Sequence, residues 1–274
     1  YPWKSLADRG VILRPLSPEH PGVITWELVE QSLTPRTRLV ALASCHFLSG
    51  YRLDVTTIGK ALQARGTWFC LDGIQSLGAF PLDVKYVDFL SADSHKWLLG
   101  PCGAGIFYVR RSLQSVLRPT LLGSWNVVSP DFSAQEEIAF YAGARRYEPG
   151  TLNLPGIAGM HAAMDLLLRV GLPAIAQRIL ALRAFLVKGL RNLGYELYLE
   201  EFDTRNGAND SERSGIVSVR HPRKDLSEVA ERLQSHAVSF SLRKNRARET
   251  FLRFSPHFYN TEDELSQVLE ILAK

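Results

Sequence analysis

Four short apolar runs in the first half of the chain constrain its fold more than any other feature. They are Arg38–Ala43, Thr67–Leu71, Val87–Ser91 and Gly105–Val109. None alternates apolar with polar residues, as a strand with one wet face does. Runs of this kind, separated by crossovers, indicate a mainly parallel sheet covered on both faces. Val55–Arg65 reads as one crossover, a short helix closed by Gly66, and Arg38–Ala43 reads as a buried strand.

The second half has a different pattern. Ile175, Ile179, Leu182, Leu186, Leu190 and Leu193 repeat at helical spacing, so Pro173–Leu193 is a helix. Pro173 suits its first turn and Gly194 its stop. Short strands are expected at Tyr195–Leu199, Ile216–Val219 and Phe251–Phe254, and a helix at Asp225–His236. Thr261-Glu262-Asp263-Glu264 is a capping box ahead of Leu265, Val268, Leu269 and Leu272. The polar, Asn/Gly-rich stretch Glu201–Arg213 reads as a surface loop. The expected division is residues 1–160 as a large α/β domain and 161–274 as a connecting helix and a smaller α+β domain.

Composition narrows the function classes. The 274 residues are 46% hydrophobic and 22% charged, with a net charge of +4, an ordinary globular balance. No window approaches the roughly 18 consecutive apolar residues of a membrane span. A nucleic-acid binder gathers its basic residues on one element. The one dense cluster here, Arg243, Lys244, Arg246, Arg248 and Arg253, reads mostly as a solvated loop face and in part as a site for a small anion. Neither nucleic acid nor membrane is therefore expected as a partner. The three cysteines, Cys45, Cys70 and Cys102, are odd in number and lack C-x-x-C spacing. A disulfide framework or metal centre is not expected, and a reducing, cytoplasmic location fits best.

In an open α/β sheet, ligands bind outside the carboxyl ends of the strands. Asp72 ends the second run and Lys96 follows the third. A lysine and a carboxylate on one rim are what a pyridoxal phosphate (PLP) site needs. The amine forms an imine with the aldehyde, and the carboxylate stabilises the protonated pyridine nitrogen. From spacing alone, two ordinary surface charges are an equally good reading.

The flanking residues change that balance. Asp72-Gly73-Ile74-Gln75-Ser76-Leu77-Gly78, Ser94-His95-Lys96-Trp97-Leu98-Leu99-Gly100-Pro101 and Gly103-Ala104-Gly105-Ile106-Phe107-Tyr108-Val109 stand in order. Together they resemble the class V aminotransferase superfamily, which includes cysteine desulfurases and isopenicillin N epimerase-like proteins. Ser44–Arg52, the segment Arg145–Asn153 with its Glu148-Pro149-Gly150-Thr151, and Arg253-Phe254-Ser255-Pro256-His257-Phe258-Tyr259-Asn260-Thr261 extend the resemblance over nearly the whole chain. It implies a PLP-dependent, aspartate-aminotransferase-like (fold type I) large domain plus the small C-terminal domain. Lys96 would be the Schiff-base lysine and the catalytic residue. Asp72 would pair with the pyridine nitrogen, Gln75 with the ring's phenolic oxygen, and His95 with the phosphate. Thr151 would reach the phosphate of a neighbouring subunit's cofactor, which implies a homodimer with shared active sites. Arg253 would clamp the substrate α-carboxylate with a bidentate fork, and Arg243 would be a second anion contact. Plainer alternatives stand beside these roles. Gln75 and Thr151 could cap following helices, His95 could be a satisfied buried histidine, and Arg243 a solvated charge. Trp97 reads as packing.

The sequence departs from the family in three places. It opens at Tyr1-Pro2-Trp3, without the family's N-terminal portion, which carries a Gly/Thr phosphate loop and the residue stacking on the pyridine ring. The large domain is therefore expected to be incomplete at the N-terminus, as a fragment or a shortened paralogue, and to retain cofactor weakly. A purified chain that keeps a yellow chromophore through dialysis would overturn that. Cysteine desulfurases place a nucleophilic cysteine between the two arginines, whereas Lys244–Thr250 contains none. Asp93 stands where those enzymes often have a phosphate-binding serine.

The expected function is a PLP-dependent enzyme acting at the α-carbon of an amino acid, a class V aminotransferase taking amino-acid and keto-acid substrates. The alternatives are an epimerase or lyase of the same family, or a non-catalytic dimer partner. A nicotinamide-dependent dehydrogenase ranks low, because no G-x-G-x-x-G follows the first strand.

Overall fold

The structure, a computed structural model, describes residues 2–129, 133, 136–201 and 210–274. Among them are two four-stranded sheets. The first contains β1 (Leu39–Ala43), β2 (Trp68–Asp72), β3 (Phe89–Asp93) and β4 (Gly105–Val109), in that spatial order. β1, β2 and β3 are parallel, and β4 returns antiparallel to β3. The sheet is thus mainly parallel, as the apolar runs require. α1 (Trp26–Ser32) and α2 (Val55–Ala64) pack on it. Asp54 caps α2 by accepting from Thr57 N–H, and Gly66 (φ 65°) follows its C-terminal cap Arg65.

Three expectations for this sheet need correction. It is not covered on both faces: burial alternates along β2 and β4, and Trp68 and Phe107 are exposed. β1 is half-buried along most of its length, not buried, because it lies at the sheet edge and pairs with β2 alone. The third strand begins at Phe89, not Val87. Val87 is fully buried in a turn closed by its N–H to Val84 O, and the strand runs on to Asp93.

α3 (Leu154–Val170) and α4 (Leu172–Asn192) follow, meeting at an 82° bend. A helix after Thr151 was expected only as something for that residue to cap, and its bounds were not read because its apolar residues make no single stripe. Met160 and Leu167 are buried, whereas Leu154, Leu166 and Leu168 are exposed. Its start was legible in Asn153, which accepts from Gly156 N–H, with a proline in the first turn. That cap displaces the reading of Thr151 as a cap. No single helix among the described residues is long and apolar enough to cross a membrane.

The second sheet contains β5 (Glu196–Leu197), β6 (Val217–Arg220), β7 (Ser241–Lys244) and β8 (Thr250–Phe254), in the order β5-β6-β8-β7 and antiparallel throughout. β5 is shorter than the expected Tyr195–Leu199, and β7 was not foreseen. The loop expected at Glu201–Arg213 lies mostly outside the described residues, which resume at 210. α5 (Leu226–Ser235) and α6 (Glu262–Ala273) complete this half. Thr261 and Glu264 form both bonds of the capping box predicted for α6.

Three apolar clusters hold these parts together. One lies between α2 and the first sheet, around Ile58, Leu62, Phe69 and Leu71. Another joins α4, α5 and α6 to the second sheet, around Leu186, Leu190, Val219 and Leu252. Side chains of this kind each contribute roughly 1.5–3 kcal/mol on burial. The third cluster joins the two halves: Phe80, Trp97 and Leu98 from the first meet Leu167, Ile175, Ile179 and Ile216. Trp97 is the neighbour of Lys96 in sequence, so this joint lies against the candidate site.

Candidate active site

The rim is assembled from strand ends. β2 stops at Asp72, whose Oδ1 accepts from Ile74 N–H at 3.0 Å, and its side chain is exposed. Ser44, just past β1, donates both its N–H (2.8 Å) and its Oγ–H (2.9 Å) to the Asp72 carbonyl. β3 ends at Asp93 and the chain turns at once. Ser94 is fully buried and closes the turn, donating Oγ–H to Pro101 O at 2.7 Å and accepting Gly100 N–H at 2.9 Å. Lys96 projects from this turn, half-buried.

The Lys96 amine is held below the ordinary lysine range, first by burial and then by Arg253. Asp72 opposes the shift, Arg243 adds to it and Asp93 opposes it. These charges act on one amine, so β2, β3 and the β7–β8 hairpin contribute to one electrostatic neighbourhood. Ladder register places Arg253 opposite Ser241 and Arg243 opposite Phe251. Arg253 donates through Nη1 to Phe47 O at 2.9 Å, while its Nε is buried without a hydrogen-bond partner among the described residues. Burial and Arg243 hold its pKa below the usual value, with Cys45 opposing. Arg243 itself is exposed.

Gln75 is buried, and its Oε1 accepts from the Trp97 indole N–H at 3.1 Å. His95 is not buried: its Nδ1 lies 3.1 Å from Asp93 Oδ1. Thr151 is exposed in the segment leading to α3. The structure therefore brings Asp72, Arg243 and Arg253 within electrostatic reach of Lys96 and keeps Gln75 and His95 on the adjoining turns.

Sequence reasoning missed two participants. Trp97 packs as expected but also donates to Gln75. His257 was read only as part of the motif around Arg253. It is buried, and its Nε2 meets Trp97 O at 3.1 Å. The cysteines are less suited to chemistry. Burial pushes the Cys45 thiol up to about 11 despite Ser214, Arg52 and Arg253, and Cys70 is raised by burial and by Asp72. Cys102 is exposed.

A depressed amine, an exposed carboxylate and a half-buried arginine suit a ligand bearing a carbonyl, a basic nitrogen and an anionic group.

Known proteins resemble this chain over nearly its whole length. The family model described as aminotransferase class-V matches residues 1–268. An uncharacterized aminotransferase, YcbU, of Bacillus subtilis (strain 168) is 29% identical over 273 residues, covering 99% of this chain and 68% of the relative. A probable cysteine desulfurase of Methanothermobacter thermautotrophicus is 28% identical over 288 residues, covering 99% and 68%. Among solved structures, the apo cysteine desulfurase of Thermococcus onnurineus NA1 superposes with a TM-score of 0.87 at 25% identity, covering 99% of this chain and 68% of that one. A C-DES mutant with glycine covalently linked to its PLP cofactor gives 0.77 at 25% identity, covering 90% and 63%. The chain thus spans about two thirds of the length of these proteins, and the expected fold is the one these chains share.

Proposed function

The chain belongs to the aminotransferase class-V family, and from that premise we propose that it binds PLP and acts at the α-carbon of an amino acid, as a transaminase. The observation that carries this reading is the half-buried Lys96 amine on the turn after β3, close enough to Asp72 and Arg253 to feel both charges. When bound, PLP supplies an aldehyde that takes an amine and a ring that accepts electrons from the substrate α-carbon.

The residues present fit that group. Lys96 holds the aldehyde, and its lowered pKa leaves more of the amine free to react and to carry a proton to and from the α-carbon. Asp72 holds the proton on the pyridine nitrogen. Gln75 donates from Nε2 to the phenolic oxygen, because its Oε1 is already engaged by Trp97. His95 meets the phosphate. Arg253 binds the α-carboxylate, and Arg243 adds positive charge nearby. Thr151, exposed ahead of α3, serves a partner subunit's phosphate in a homodimer. We place the division of labour at residues 1–160 for the cofactor and 161–274 for the substrate clamp.

A desulfurase reading has its support in the named relatives. It needs a mobile, reactive thiol, and the β7–β8 turn has none. The Cys45 thiol is buried with its pKa near 11.

The test is to incubate the chain with PLP, reduce with borohydride and map the modified peptide. Labelling of Lys96, followed by keto-acid formation from amino acids in unreduced protein, is expected. Labelling elsewhere, or sulfide release from cysteine without keto acid, would sink the transaminase assignment.

A further inference from the structure

Gln75 is 8% exposed, and Trp97 is its one side-chain hydrogen-bond partner among the described residues. An indole N–H can only donate, so the atom it meets is Oε1 and the Nε2 amide is left to donate elsewhere. Trp97 is itself fixed at several points. His257 Nδ1 accepts from Phe258 N–H at 2.8 Å, so the neutral ring carries its proton on Nε2 and donates it to Trp97 O at 3.1 Å. The two rings pack with centroids 5.0 Å apart. His257 N–H donates to Asn260 Oδ1 at 2.9 Å, and Asn260 Nδ2 donates to Glu264 Oε2 at 3.1 Å, in the cap of α6. Burial lowers the His257 pKa, which agrees with the neutral ring.

We propose that Trp97 and His257 are positioning residues: the chain His257 Nε2–H to Trp97 O, and Trp97 Nε1–H to Gln75 Oε1, presents the Gln75 amide N–H to the phenolic oxygen of bound PLP from the C-terminal half of the molecule. This rests on the PLP reading above. It adds a way for the half that carries Arg253 to influence the electronic state of the cofactor without touching it. A donor at the phenolic oxygen stabilises the oxygen's negative charge and so favours loss of the neighbouring imine proton. Losing that donor moves the pH midpoint of the visible band upward.

The experiment titrates wild type, Trp97→Phe, Gln75→Ala and the double variant with PLP, following the visible band across pH. Trp97→Phe keeps an aromatic ring in place and removes the N–H. The expected result is an upward shift of the midpoint by about 0.5–1 unit and roughly fivefold weaker PLP binding, the scale of one net hydrogen bond. Gln75→Ala should match it, and the double variant should shift little further, because both changes break one path. His257→Leu, which removes the donor to the Trp97 carbonyl together with the acceptor for Phe258 N–H and the ring packed on Trp97, should shift the midpoint in the same direction and carries the test should Trp97→Phe not fold. A folded Trp97→Phe with the wild-type midpoint, or shifts that add in the double variant, would overturn the proposal. A wild-type chain that gives no band with PLP would instead overturn the reading beneath it, and the relay's role with it.

Discussion

Asp93 Oδ1 lies 3.1 Å from His95 Nδ1 and also accepts the His95 backbone N–H at 3.4 Å, on the turn that presents Lys96. A carboxylate at this position would oppose a neighbouring phosphate if left alone. Here it is turned onto its own neighbour. The hydrogen bond from His95 holds the Asp93 carboxyl below its usual range, so it stays ionised and engaged well into acid. The ring's other nitrogen, Nε2, is left for a ligand.

Asp93→Asn should therefore act chiefly through His95, since its charge is the smallest of the four that reach Lys96. Binding of PLP is expected to weaken by no more than a few-fold, because the pair is exposed and screened. Binding of pyridoxal, which lacks the phosphate, should change less. Equal losses for the two ligands, measured by absorbance titration, would show that Asp93 works on the ring or on Lys96 instead.

Much of this site was legible because strand ends announce it. Asp72 closes an apolar run, Lys96 follows another, and Arg253 sits in a strand whose Phe251, Leu252 and Phe254 are buried. The sequence was silent on contacts between distant segments. Nothing in Ser94–Trp97 says that the Trp97 indole will meet Gln75, or that its carbonyl will meet a histidine 160 residues on. Likewise α3 was obscured because several of its apolar residues face outward, blurring the helical period. β7 was obscured because its outward Arg243 and Lys244 read as loop charge.

The charges around Lys96 make a prediction of opposite signs. Arg253 lowers the amine's pKa and Asp72 raises it. Arg253→Gln should move the pH profile of Lys96 modification upward, and Asp72→Asn should move it downward. The wild-type group favours the unfolded chain while charged, since the unfolded state binds its proton more tightly. Its contribution to stability therefore improves as pH rises through the folded value toward the ordinary lysine value. Borohydride trapping with PLP at stepped pH, read by peptide mass, checks both shifts. Movement of both variants in one direction would refute the electrostatic account.

The thiols should react in order of access. Cys102 is exposed, Cys70 half-buried, and Cys45 buried with its pKa near 11. At pH 8, iodoacetamide is expected to label Cys102 first and Cys45 only after denaturant is added, as thiolate fraction and access both require. Prompt native labelling of Cys45 would reopen the persulfide reading.

The capping box of α6 should be worth a measurable fraction of stability. The Thr261 side chain accepts Glu264 N–H at 3.2 Å, and α6 packs against the core shared by α4 and the second sheet. Thr261→Ala should cost about 1 kcal/mol. That corresponds to a fall of roughly 2–4 °C in the unfolding midpoint for a chain of this size. Thermal unfolding followed by circular dichroism measures it, and an unchanged midpoint would mean the helix end frays without cost.

Two glycines separate backbone strain from crowding. Gly66 has φ 65° with open space where a Cβ would stand. Gly78 has φ 94°, and a Cβ there would lie 2.4 Å from the carbonyl oxygen of Trp97. Gly66→Ala carries only the left-handed conformational cost, about 1 kcal/mol. Gly78→Ala carries a comparable strain and must also push away a backbone carbonyl that His257 holds from the other side. Its total cost is expected to exceed that of Gly66→Ala by about 1–3 kcal/mol, the usual range for overpacking. Urea titration of the two variants gives the difference directly. Because the displaced atom belongs to Trp97, Gly78→Ala should also disturb the Gln75 contact, visible as a changed indole N–H resonance, whereas Gly66→Ala should leave that resonance in place. Equal costs, with the resonance unmoved in both, would mean that the Trp97 carbonyl gives way freely and that the joint beside Lys96 is not rigid.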